Sequence, residues 1–162
     1  MDKHLPGRRD FLTGAAAAAA ALGADKAFAQ AQTAPAGAMM AKTPTGPRLT
    51  MHAIDIFNGR PGAGMVTDLS IWKGAAFEKI KTVVSAPNGR PPEPLLAGDA
   101  LLAGRYELLL HFDDYFDKLG VKLPDMPFLT KAYVRFQIVD NKQAYHVPVL
   151  FSPWAYSFYR GS

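Results

Sequence analysis

Cysteine is absent from all 162 residues. That excludes disulfides, thiolate nucleophiles and every zinc or iron–sulfur site that depends on sulfur ligands. Missing too is any long block of Lys and Arg, and the formal net charge is only +4. Such a chain has little with which to track a phosphate backbone, so nucleic acid is not expected as a partner. The longest alanine-rich apolar run, Ala15 to Leu22, falls far short of the ~20 residues that span a bilayer. Neither a Gly-x-Ser-x-Gly elbow nor a phosphate-cradling glycine loop occurs, which leaves a serine acyl-enzyme or a nucleotide-phosphate site without support. If the chain is an enzyme, water is the nucleophile to expect, with histidine as its base.

What is present begins with a leader. Arg8 and Arg9 precede Phe11 and Leu12, an alanine-rich stretch follows, and Ala27-Phe28-Ala29 ends it. A basic n-region, a short h-region and an Ala-x-Ala site in that order predict an export signal over residues 1–29, and the paired arginines resemble a twin-arginine signal. Cleavage is expected after Ala29 or Ala31, giving a periplasmic product without a membrane anchor. Its loss would remove four bases and three acids and leave a net charge of +3. Residues 30–47 are rich in Ala, Pro, Gly and Thr without periodicity and read as a flexible tether. The folded domain is expected over 48–162.

Within that domain the hydrophobic period is two. Tyr106, Leu108, Leu110 and Phe112 alternate with Arg105, Glu107, Leu109 and His111, and Ala132, Val134, Phe136 and Ile138 alternate with Lys131, Tyr133, Arg135 and Gln137. Half-buried strands produce this pattern. Further runs at 48–56, 65–72, 77–84, 144–152 and 154–159 are separated by turn sequences such as Asn58-Gly59 and Asn88-Gly89. The segment Asp113–Gly120 reads as one short helix capped by Asp113 and stopped by Gly120. Seven or eight short strands and one helix predict an all-β antiparallel sandwich.

Three histidines remain once the leader is removed: His52, His111 and His146. A histidine on a strand is ordinarily structural, and no His-x-His or His-Glu-x-x-His spacing supports a metal site. Arg90 is more pointed. Two prolines follow it, which pushes its backbone toward an extended conformation and stiffens the loop, so it is held out as a planar bidentate donor.

Four segments can then be read together: "LTMHAIDIFNGRPGAG" at 49–64, "NGR" at 88–90, "GRYELLLHFDDYF" at 104–116 and "YHVPVLFSPWAYSFYRGS" at 145–162. Their order and spacing resemble the transthyretin-like family and, within it, the 5-hydroxyisourate hydrolases. The terminal Tyr-Arg-Gly-Ser is the most specific element. The resemblance implies a transthyretin-like sandwich that hydrolyses 5-hydroxyisourate in urate degradation, as a homotetramer, with neither cofactor nor metal. It implies His52, Arg90, His146 and Ser162 as catalytic residues and Tyr159, Arg160 and Gly161 as substrate-binding ones, with His111 structural. The precursor would meet the twin-arginine export machinery. The competing reading is a non-catalytic periplasmic carrier or interaction module of the same fold, which would need neither histidine, nor the arginine, nor the tail.

Overall fold

A computed structural model of the protein describes residues 45–161. The expected export signal, all but the last three residues of the tether, and Ser162 lie outside the described residues. In chain order the elements are β1 (Arg48–Asp55), β2 (Arg60–Pro61), β3 (Val66–Trp72), β4 (Phe77–Val84), β5 (Leu96–Ala97), a 3-10 turn (Gly98–Ala100), β6 (Gly104–His111), α1 (Phe112–Lys118), β7 (Lys131–Ile138), β8 (Ala144–Phe151) and β9 (Tyr156–Phe158). One sheet runs β2-β1-β8-β9, with β5 also paired to β1, and the other runs β4-β3-β6-β7.

The period-two runs form these strands because one face of each sheet meets the other across the core. Leu49, Met51 and Ala53 of β1, Leu69 of β3, Leu108 and Leu110 of β6, Val134 of β7 and Val149 and Phe151 of β8 are buried. Each large apolar side chain so buried contributes about 1.5–3 kcal/mol. Helix α1 closes one end. Phe112 stacks on Phe151 at 4.9 Å between ring centroids, and Tyr115 meets the same ring edge-on at 5.0 Å.

Asp55 ties that end together. Wholly buried, its carboxylate accepts the Phe57 and Asn58 backbone N–H groups (3.0 and 2.9 Å), the Asn58 side-chain amide (2.7 Å) and the Tyr115 hydroxyl (3.0 Å). Burial, with the Asp55 carboxylate beside it, pushes the Tyr115 hydroxyl up to about 12, so it stays a donor at neutral pH.

Three expectations need correction. The sandwich is not wholly antiparallel: β1 and β8 pair in parallel over their full length, from Arg48 opposite Ala144 to Asp55 opposite Phe151. The described strands number nine rather than seven or eight, because β2 and β5, at two residues each, are too short to show a period. Helix α1 begins at Phe112 with His111 at its N-cap and no side-chain cap bond, so Asp113 does not cap it. The apolar Phe112 is recruited into the first turn because its ring completes the stack on Phe151.

Candidate active site

The parallel register places the first two candidates. Burial alternates strictly along β1, so Thr50 and His52 share the half-buried face that looks away from the core. Thr50 sits directly opposite His146 of β8, and His52 opposite Pro148. The two imidazoles, 94 positions apart in sequence, come to rest with centroids 6.4 Å apart and planes tilted by 32°.

A loop brings the arginine to the same face. Strand β1 pairs with β2 at one end and β5 at the other, which leaves backbone free between them. The turn at Ala86–Arg90 fills this gap: the Ala53 N–H donates to the Gly89 carbonyl at 2.8 Å, and the turn is closed by Gly89 N–H to Ala86 O and Ala86 N–H to Arg90 O, each 2.8 Å. The Asn88 side-chain oxygen accepts the Arg90 N–H at 3.0 Å. Gly89 is obligatory here, with φ at +75° and no room for a β-carbon, which would run into the Ala53 carbonyl oxygen and the His52 ring. Arg90 is thereby aimed along β1 at β8, and its Nη1 donates to His146 Nε2 at 3.1 Å.

The surroundings favour the neutral form of both histidines. Burial lowers the His52 imidazole from its ordinary 6.5, and the Arg90 guanidinium lowers it further, while a hydrogen bond to the Asn88 backbone acts in the opposite direction. Burial likewise lowers His146, with Arg90 and then His52 adding to the effect. The Nε2 atom of His52 is buried and, among the described residues, has no hydrogen-bond partner. An imidazole whose lone pair is kept free by burial and a nearby guanidinium can act as a base at neutral pH, and the same guanidinium can stabilise a developing anion.

The chain end joins this group in part. Beyond β9 the backbone continues alongside β8: Tyr159 N–H donates to Pro148 O at 3.3 Å, and Gly161 N–H to His146 O at 2.8 Å. A β-carbon on Gly161 would lie 2.9 Å from His146 Cδ2, so only glycine passes this close to the ring. Arg160 departs from the group. Its guanidinium lies 4.8 Å above the Tyr145 ring and donates to the Gln143 side-chain oxygen at 2.9 Å, an anchor for the tail rather than a group facing His52. Tyr159 is exposed. Ser162 lies outside the described residues.

His111 sits apart in the other sheet, its ring nitrogens 3.2 Å from Asp68 and 3.2 Å from Asp114 carboxylate oxygens. That clamp ties β6 and the start of α1 to β3. Among the described residues no group of three or more His, Asp or Glu forms a metal-holding cluster. Thr50, which the sequence reading passed over, bonds His146 directly, its Oγ1 2.9 Å from Nδ1. The available signal was its place two residues before His52 on a strand of period two.

With two imidazoles, a guanidinium and the chain end on one sheet face, comparison with known proteins becomes specific. A family model described as "HIUase/Transthyretin family" matches residues 49–161. The 5-hydroxyisourate hydrolase 2 of Rhizobium meliloti is 47% identical over 115 residues, covering 71% of this chain and 96% of that protein. The solved 5-hydroxyisourate hydrolase of Klebsiella pneumoniae gives a TM-score of 0.58 at 32% identity, covering 71% of this chain and 99% of that one. A solved (S)-allantoin synthase gives a TM-score of 0.68 at 33% identity and covers 72% of this chain but 44% of that one, so this likeness extends over less than half of a longer protein. The chain belongs to the HIUase/Transthyretin family.

Proposed function

We propose that this protein hydrolyses 5-hydroxyisourate to 2-oxo-4-hydroxy-4-carboxy-5-ureidoimidazoline, a step of urate degradation. The observation that carries the reading is the convergence of His52, whose Nε2 has no hydrogen-bond partner among the described residues, with the Arg90–His146 pair. Relatives named for this activity are matched over nearly their whole length.

In the proposed reaction His52 Nε2 takes a proton from water as the water oxygen attacks the ring amide carbonyl. The tetrahedral oxyanion forms within reach of Arg90, whose fixed donors stabilise it by several kcal/mol. The carbon–nitrogen bond then breaks, the nitrogen leaves with a proton returned from imidazolium, and the carbonyl carbon ends as a carboxylate. The backbone at Tyr159 and Gly161 walls the site on the β9 side, and Arg160 holds that wall in place through Tyr145 and Gln143. Ser162, next in the chain, is assigned to orienting a histidine through its hydroxyl.

The protein is further proposed to be an exported, periplasmic homotetramer. Support for assembly comes from exposed aromatic and aliphatic side chains gathered where β1 and β8 end: Ile56, Phe57 and Trp154 are about half exposed, and the Phe57 and Trp154 rings meet at 5.3 Å. Support for export comes from the paired arginines and Ala-x-Ala of the leader. The activity is tested by adding the protein to freshly generated 5-hydroxyisourate and following its ultraviolet decay. Acceleration over buffer, lost by orders of magnitude in His52→Asn, is expected; decay equal to buffer refutes the reading.

A further inference from the structure

We infer that Thr50 is a positioning residue that fixes the tautomer of His146. The inference deepens the proposed hydrolase reading and rests on it only for its kinetic consequence.

The assignment follows from donor and acceptor counting along one chain of contacts. A guanidinium can only donate, so Arg90 Nη1, 3.1 Å from His146 Nε2, requires a lone pair on that nitrogen. A neutral imidazole with its lone pair at Nε2 carries its proton at Nδ1. That proton faces Thr50 Oγ1 at 2.9 Å, which must accept it. The threonine hydroxyl has a single proton of its own, and it is directed to the Tyr145 backbone carbonyl at 3.2 Å. Every atom is thereby matched: guanidinium to Nε2, Nδ1–H to hydroxyl, hydroxyl to carbonyl. The opposite tautomer would set two donors against each other at Nε2. It would also turn the hydroxyl proton toward Nδ1 and strip Tyr145 O of its side-chain donor.

The fold makes this relay rigid. Thr50 and His146 are direct partners in the parallel β1–β8 register, so their side chains leave the sheet from neighbouring positions on the same face. Thr50 is β-branched and half-buried, with restricted χ1. What the relay accomplishes is a division of labour. His146 presents only a lone pair toward Arg90, holding the guanidinium in place, while His52 keeps its Nε2 without a hydrogen-bond partner among the described residues. Without the Thr50 hydroxyl, His146 is free to place its proton on Nε2 and lose Arg90.

The test uses the full-length protein labelled with ¹⁵N at histidine, together with Thr50→Val, which keeps the side-chain shape, and Thr50→Ser, which keeps the hydroxyl. At pH 7.5, above the ordinary imidazole value of 6.5, wild type is expected to show His146 protonated at Nδ1 and bare at Nε2. Thr50→Val is expected to populate the other tautomer and to lower kcat on 5-hydroxyisourate about tenfold with KM unchanged, equal to about 1.4 kcal/mol in the barrier. Thr50→Ser restores both. A wild-type His146 protonated at Nε2 overturns the inference, as does a Thr50→Val protein with wild-type tautomer and kcat. Should Thr50→Val not fold, the wild-type spectrum and Thr50→Ser still decide. Should the protein not act on 5-hydroxyisourate at all, the hydrolase reading falls while the nitrogen spectra report on the relay independently.

Discussion

Replacing Gly89 by alanine probes how the loop aims Arg90. The native backbone has φ at +75°, a left-handed conformation that costs a residue bearing a β-carbon about 1–2 kcal/mol. The added carbon would also collide with the Ala53 carbonyl oxygen, and it would stand 3.0 Å from His52 Cδ2 and 3.1 Å from Gly62 N. Backbone on both sides cannot yield, since Ala53 lies within β1 and its carbonyl accepts the Gly62 N–H at 2.9 Å. The loop must retreat by about 1 Å to reach an ordinary van der Waals separation. In doing so it weakens the Ala53 N–H to Gly89 carbonyl bond, a further loss of about 1 kcal/mol. The combined cost of about 2–3 kcal/mol corresponds to a Tm lower by about 10 °C for a domain of this size. Arg90 leaves hydrogen-bond reach of His146 Nε2, and a misplacement of that order costs about 100-fold in kcat/KM. Calorimetry and the ultraviolet decay assay measure the two effects. Gly59→Ala is the control, because Gly59 has a similar φ of +65° but open space where its β-carbon would lie. It is expected to lose stability and keep activity. A Gly89→Ala protein with kcat/KM within threefold of wild type would refute the loop's role.

Gly161→Ala should reduce kcat/KM about tenfold while hardly moving Tm, since its β-carbon would displace the His146 ring and no core residue; the same two assays check this. Asp55→Ala removes four hydrogen-bonded contacts from a buried carboxylate and leaves their donors unmatched, so chemical denaturation should show a loss of about 3 kcal/mol or more.

Much of the sandwich was legible because alternation along strands such as Lys131–Ile138 reports burial directly. The parallel β1–β8 pairing was not, for register between segments almost a hundred residues apart is set by how both faces pack, and local period is blind to it. The same blindness hid Thr50, whose importance arises only once His146 lies opposite it. His52, Arg90 and His146 could be named from residue type, loop stiffness and family resemblance, yet their convergence is a property of the register and of the Gly89 turn. Arg160 illustrates the converse. Its substrate-binding role is implied by resemblance alone, and in an extended segment whose successive residues point to opposite faces its side chain turns toward Tyr145 and Gln143.

The central claim is that a neutral imidazole, kept neutral by burial and by Arg90, is the base for water. The pH dependence of kcat/KM for 5-hydroxyisourate in wild type and Arg90→Met tests it most directly. Because both imidazoles are lowered from 6.5, the base stays deprotonated into mildly acid solution, so the wild-type rate should fall only with a midpoint below 6.5. Removing the guanidinium takes away one cause of that lowering, and the midpoint of the residual activity should move up toward 6.5. A wild-type midpoint at or above 6.5, or one that Arg90→Met leaves in place, would contradict the account.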